Sequence, residues 1–250
     1  MIKKEELIKI ARMTGMKPHQ QEKHYIQMHL LRSLYSRYNP VFKGGTALMF
    51  ADGLNRFSED LDFTATEDAA PGLSDALLGD LDYVGIKARK KDIKGFAESF
   101  SFKFGAEGPL FTKEIERCSV RVEVSLREAV ILPPRSLFLE AQYPDMLPYR
   151  VSVMDMREIS AEKVRAVITR EKARDVFDLH FVLRKGAVPE ESLINEKLKY
   201  YKMKFDTERL REKLESKHGI WKAELAPVVF GSLPDFDQVK GEIMSHLARD

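Results

Sequence analysis

The sequence predicts an α/β (α+β) protein in which a short mixed sheet flanked by helices is joined to a helical C-terminal domain. Three observations lead there. Short β-type segments alternate with helical periodicity up to about residue 159, every periodic segment from Ser160 onward is helical, and 44% of the 250 residues are hydrophobic. A chain of that length buries roughly 70–75% of its unfolded surface, which suits one large core or two modest ones. The domains are therefore placed at 1–159 and 160–250.

Each element follows from its local pattern. Lys4 to Arg12 and His19 to Tyr38 repeat apolar residues at helical spacing, with Ile26, Leu30, Leu34 and Tyr38 on one face. Asn39 and Pro40 end the second helix, and Val41 to Lys43 then reads as a strand entering a glycine turn. A helix follows at Thr46. Leu61 to Thr64 reads as a strand, Gly72 to Leu81 as a helix, and Val84 to Lys90, Ser99 to Phe104 and Ser119 to Leu126 as strands. Past Pro133 and Pro134, Arg150 to Met154 forms a last strand. The helical tail comprises Ser160 to Leu183, Glu190 to Lys202, Thr207 to Lys217 and Phe236 to His246, broken at Pro189, Pro227 and Pro234. Ser160 and Asp206 or Thr207 are expected N-caps.

Composition excludes several classes. The single Cys118 admits no intrachain disulfide, and no Cys/His spacing signals structural zinc. Residues Met1 to Gly15 contain no apolar run long enough for a signal peptide or a membrane span, so a cytoplasmic location is expected, with no membrane partner. The 41 Lys+Arg against 39 Asp+Glu give +2, so any nucleic-acid contact is local rather than a property of bulk charge. A P-loop, a G-x-S-x-G elbow and H-E-x-x-H are absent. His24 and His29 lie about 140° apart on a helix, so they do not pair as metal ligands. His180 is read as a packing residue and Cys118 as inert.

The chemistry concentrates in KGGTALMFADGLNRFSEDLDF, Lys43 to Phe63. Gly44 and Gly45 strip side chains from a strand-to-helix turn, so backbone N–H groups of the helix beginning near Thr46 can face a phosphate. Asp60 and Asp62 leave the same side of one strand while Leu61 and Phe63 enter the core. Two like charges held together call for a cation, and hard oxygen ligands suit Mg²⁺ or Mn²⁺. In SVRVEVSL, Arg121, Glu123 and Ser125 share the face opposite Val120, Val122 and Val124, so Glu123 is the candidate third metal ligand, with Glu128 or Asp155 as substitutes. Singly, each signal is weak: a glycine pair is more often a plain turn, and an acid on an amphipathic strand is usually solvated. In order along one chain they assemble both halves of a metal-nucleotide site.

These residues resemble the AbiEii/AbiGii-type nucleotidyltransferase toxins, a branch of the polymerase-beta-like nucleotidyltransferase superfamily. Gly44, Gly45, Thr46, Arg56, Ser58, Asp60 and Asp62 stand at the positions of its Gly-Gly…R-x-S-x-D-x-D signature. A second stretch, Ile159 to Leu183, looks like the later E-K, R and R-D-x-x-D motif of that family. The resemblance implies a polymerase-beta-like domain with Asp60 and Asp62 at the metal, while Glu123 is assigned there by strand alternation alone. It also implies that Gly44, Gly45, Thr46, Arg56 and Ser58 sit at the phosphates, with Lys163 assisting. It further implies transfer of a nucleotide from an NTP to an RNA such as tRNA, or to a protein, restrained by a cognate antitoxin.

On one continuous helix with Lys163 at zero, Arg170 falls near about −20°, Arg174 near about +20° and Asp178 near about +60°. That face would turn three cations toward triphosphate oxygens, although solvation is the commoner fate of such residues. Asp175 falls on the apolar side and needs a partner. The active site is expected between the two domains. Two other readings stay open: a protein nucleotidylyltransferase acting on Ser, Thr or Tyr hydroxyls, and a non-catalytic nucleotide-binding regulator, against which the intact Asp60 and Asp62 argue.

Overall fold

The computed structural model describes residues 1–65, 72–96, 99–140 and 142–248. The chain forms two compact units, one comprising Met1–Gly53, Phe57–Val130 and Pro134–Val153, the other Leu54–Arg56, Ile131–Pro133 and Met154–Asp250.

The first unit contains the helices α1 (Lys4–Thr14), α2 (Pro18–Tyr35), α3 (Gly44–Ala47) and α4 (Leu73–Tyr83). Its strands are β1 (Val41–Lys43), β2 (Leu61–Thr64), β3 (Ala88–Phe96), β4 (Ser99–Ala106), β5 (Cys118–Ser125), β6 (Arg135–Leu139) and β7 (Tyr149–Val153). They form one sheet in the order β3-β4-β5-β2-β1-β7-β6, mixed in direction: β2 runs parallel to β5 and β1 parallel to β7, while the other neighbours are antiparallel. Alternation is clean in β5, where Val120, Val122 and Val124 are buried, Arg121 is exposed and Glu123 is half-buried. The core gathers Phe42, Phe63, Phe104, Leu61 and Val122 with Tyr25, Leu30 and Leu34 of α2. Phe42 stacks on Phe63 with ring centroids 5.1 Å apart.

Strand β6 was not expected. Its residues alternate between exposed and half-buried up to a buried Leu139, and they follow Pro133 and Pro134, so no apolar run marked them. The strand expected from Val84 begins only at Ala88, because Gly85 takes a left-handed φ of +81° and turns the chain after α4. Helix α2 stops at Tyr35, whose hydroxyl lies 2.6 Å from Pro40 O and 2.8 Å from Ser152 O with its single hydrogen shared between them, leaving Tyr38 outside.

The second unit is helical: α5 (Met156–Thr169), α6 (Ala173–Arg184), α7 (Glu191–Leu198), α8 (Thr207–Glu215), α9 (His218–Leu225) and α10 (Phe236–Leu247). The single helix expected from Ser160 to Leu183 is two helices. Arg170 and Lys172 are extended, the Thr169 hydroxyl donates back to Arg165 O at 2.9 Å, and the Ala173 N–H donates to Glu224 at 3.0 Å. Ser160 is no cap: it lies buried inside α5, whose N-cap is Asp155, accepting from Arg157 N–H at 2.9 Å. Asp206 caps α8 by accepting from Glu208 and Arg209 N–H. Helix α9 was missed; Trp221 anchors it by donating to Pro234 O at 3.0 Å. No helix among the described residues is long and apolar enough to cross a membrane.

His24 is buried against Phe50, at 4.7 Å between centroids, with its Nδ1 2.7 Å from the Tyr143 hydroxyl, and burial pushes its pKa down to about 4. Unfolded histidine titrates near about 6.5, so between those values the unfolded chain holds the extra proton and stability falls as pH falls. The expected loss is about 3 kcal/mol by about pH 4, to which His29, also pushed to about 4 by burial, adds. Urea melts of the protein and of His24→Gln, at neutral pH and near pH 4.5, are expected to show a shallower acid loss in the variant.

Candidate active site

The first unit builds its site where β1 ends and the chain turns. Lys43 closes β1, Gly44 turns the backbone at φ +75°, and α3 starts immediately. The register across the sheet sets Lys43 beside Asp62, Asp62 beside Glu123, and Glu123 beside Ser101, so one row of polar residues crosses β1, β2, β5 and β4. Asp62 and Glu123, on adjacent parallel strands, point to the same face.

Asp62 occupies the space that a side chain at Gly44 would need. A Cβ built on Gly44 would stand 2.8 Å from Asp62 Oδ2 and 3.3 Å from Asp62 Cβ, so the position excludes a side chain on two counts, left-handed φ and lack of room. The glycine bend and one of the paired acids are therefore neighbours in space, as the sequence pattern requires. Thr46 is fully buried and its hydroxyl donates to the Asp60 carbonyl oxygen, which ties α3 to the residue that leads into β2. The Thr46 hydroxyl thus fixes backbone. After α3 the helix widens into a π-type turn over Leu48–Asp52 and ends at Gly53 with φ +77°. Gln27 donates to the carbonyl of Ser58 at 3.2 Å, and Lys23 pairs with Glu59 at 2.8 Å, so the segment before Asp60 is held on both sides.

Among the described residues no group of three or more His, Cys, Asp or Glu side chains is gathered around a single cation position. What the fold supplies is the in-register pair Asp62 and Glu123 with Asp60 at the entrance to the same strand. The donor chemistry is all oxygen, which fits a hard divalent cation. Glu128, one of the substitutes for Glu123, is engaged by Lys43 at 3.6 Å. Asp155, the other, is the N-cap of α5. Lys43 itself carried no sequence signal beyond its place ahead of the glycine pair; it is buried, at 8% exposure, at the end of the charged row.

Arg56 and Lys163 belong to the second unit. Arg56 grips Asp178 with Nε and Nη2, each at 2.6 Å, and both residues are buried. Lys163 reaches Asp175 at 2.9 Å and Asp178 at 2.7 Å. Burial alone would raise the Asp178 pKa, but Arg56 and Lys163 outweigh it and hold the carboxyl below its ordinary value. Burial likewise opposes the Lys163 charge, and Asp175 and Asp178 outweigh that, so its pKa is raised. The partner that Asp175 needs is thus Lys163. Arg170 and Arg174 are exposed, and the break between α5 and α6 removes the continuous face that grouped them with Lys163.

A glycine bend beside an acid of a mixed sheet, followed along the chain by helices that bury the motif's Arg, Lys and Asp residues, is the arrangement expected of a nucleotidyltransferase. The comparisons with known proteins agree. The family described as "Nucleotidyl transferase AbiEii toxin, Type IV TA system" matches residues 31–242, so the chain belongs to the AbiEii nucleotidyltransferase toxin family. Its fold is similar to that of JHP933 from Helicobacter pylori, with a TM-score of 0.60 at 22% identity over 92% of this chain and 90% of that one. It is also similar to MenT4, a nucleotidyltransferase toxin from Mycobacterium tuberculosis, with a TM-score of 0.64 at 18% identity over 97% and 88% of the two chains. No curated protein matches the sequence.

Two measurements check these contacts. Gly44→Ala and Gly53→Ala both place a side chain at positive φ, but only Gly44 lacks room. Each is expected to lose about 1 kcal/mol of stability, while only Gly44→Ala also loses metal-dependent nucleotide binding in a titration with labelled NTP. Asp178→Ala leaves Arg56 and Lys163 buried without their shared carboxylate, an expected loss of about 3–5 kcal/mol in a urea melt.

Proposed function

We propose that this protein transfers a nucleotidyl group from an NTP to the end of an RNA such as tRNA, as the toxin of a pair whose cognate antitoxin restrains it. The observation that supports the reading is the proximity of the Asp62 carboxylate to the Gly44 bend, which leaves no room for a side chain there and sets the bend beside acids that suit a divalent ion. Asp60, Asp62 and Glu123 would hold Mg²⁺ or Mn²⁺, which when bound neutralises phosphate oxygens and stabilises the charge of the leaving group. Gly44, Gly45 and Thr46 would present backbone N–H groups to the β and γ phosphates, helped by Ser58.

The reaction is an in-line displacement. An acceptor hydroxyl oxygen bonds to the α-phosphorus while the bond from that phosphorus to the bridging oxygen of the β-phosphate breaks, and pyrophosphate departs. Glu123 polarises the acceptor hydroxyl, whose proton leaves as the new ester forms. Arg56 and Lys163 take a positioning role instead of the direct phosphate contact that the motif suggests, because their charged ends are closed onto Asp178 and Asp175.

The test incubates the purified protein with each labelled NTP, total tRNA and cell-lysate protein, with magnesium and then with chelator. Label is expected in RNA, to vanish on chelation, and to fall by roughly two orders of magnitude or more in Asp60→Asn and Asp62→Asn. Label entering protein would reassign the acceptor. Full activity in both variants would overturn the site.

A further inference from the structure

The face of β5 that carries Glu123 continues into a run of cations. Two residues along, about 7 Å, Arg121 occupies the same face, and the register sets Lys103 of β4 directly opposite it. Like charges directly opposed destabilise a sheet. On its other side Lys103 faces Asp92 of β3, so within β3, β4 and β5 that row holds one carboxylate against two cations, and Asp60, one residue before Leu61, lies toward the β2 end of it. In the following row Gly105 stands opposite Ser119. Lys91, the extra residue at the β3 bulge, and Arg117 both fold over the bare backbone of Gly105, and a Cβ there would meet the Lys91 and Arg117 side chains. Arg117 is paired with Glu107 and Glu114, and Arg89 with Glu114. Beneath them the Ser119 hydroxyl is buried and has no hydrogen-bond partner among the described residues. Lys103 and Arg121 make no ion pair within 4 Å among the described residues, and Arg121 and Lys91 are exposed.

The reverse sides of these strands bury Phe102, Phe104, Val120 and Val122. Hydrophobic packing therefore fixes the alternation that lines the cations up, and nothing within the unit's core requires a cation at either Lys103 or Arg121. A polyanion with charges repeated along its length would relieve the opposed pair.

We propose that this face of β3, β4 and β5 is a track for the phosphodiester backbone of a single-stranded nucleic-acid acceptor, entering past Lys91 and Arg117, crossing Lys103 and Arg121, and ending at the Glu123–Asp62 row. It rests on the nucleotidyltransfer reading for what happens at that end, and on register and charge alone for the binding surface. Phosphate contacts of this kind position a strand without reading its bases, so the track is indifferent to sequence.

The experiment measures binding of labelled total tRNA to the full-length protein over a salt series, without NTP or metal, for the native protein and Lys103→Ser/Arg121→Ser. A parallel arm measures labelled NTP binding with magnesium. Removing two contacts to single-stranded phosphates is expected to flatten the slope of log affinity against log salt by about 1.4 and to weaken binding by about tenfold or more, with NTP binding unchanged. Relief of the opposed pair leaves the thermal midpoint equal or higher. Equal affinity and slope for the two proteins overturns the track, whatever the NTP arm gives. A flattened slope with NTP bound by neither protein upholds the track and instead overturns the catalytic reading.

Discussion

The close approach of the Asp62 side chain to the Gly44 bend, which leaves no room for a Cβ, is the constraint on which the first unit's site depends. A carboxylate tolerates a neighbouring backbone turn only where no Cβ intervenes, and a turn at φ +75° tolerates only glycine without strain, so the two demands meet at one residue. Once they do, β1 and β2 are locked in register, since Lys43 stands opposite Asp62 and Phe42 opposite Phe63. The parallel partner β5 then has to bring Glu123 alongside. Apolar packing on the reverse side, where Phe42 stacks on Phe63 and Val122 and Val124 are buried, supplies the free energy that holds like charges together on the front. Chemistry and core are thus two faces of the same strands.

The second unit solves a different problem, that of burying charge. Arg56, Lys163, Asp175 and Asp178 bring two cations and two carboxylates together with little solvent, and each charge has at least one opposite partner. Glu158 and Lys197 repeat the device at 2.5 Å, where Glu158 also accepts the N–H groups of Ile131 and Leu132. Buried pairs add little net stability over an apolar core of equal volume, but they forbid alternatives, because any other packing strands a charge. Here they fix two short chain crossings, Leu54–Arg56 and Ile131–Pro133, onto the helices. Arg56 and Asp178 lie far apart in sequence, so this pairing ties a motif near the strands to a motif in the helical tail.

Most strands of the sheet could be read from alternation and turn residues because their two sides differ sharply in burial. Strand β6 could not, since it has no fully apolar side and its partner β7 alone gives it a place in the sheet. Helices α5 and α6 failed to separate in the sequence for a related reason. The periodicity runs through Arg170 to Lys172 without a proline or glycine, and the break is accompanied by an ion pair that one continuous helix could not make. On one helix Lys163 and Asp175 would lie about 18 Å apart along the axis, and they meet at 2.9 Å only because the chain folds back.

The sequence by itself pointed to the family through its motifs and to most of the strands and helices, since residue type and spacing specify backbone conformation and face locally. Only the tertiary structure decided that Asp62 fills the space beside Gly44, that Thr46 secures Asp60, that Arg56 and Lys163 are closed onto carboxylates, and that Lys103 opposes Arg121. Those are relations between segments distant along the chain. Register and helix packing set them, and neither is written in any local window of residues.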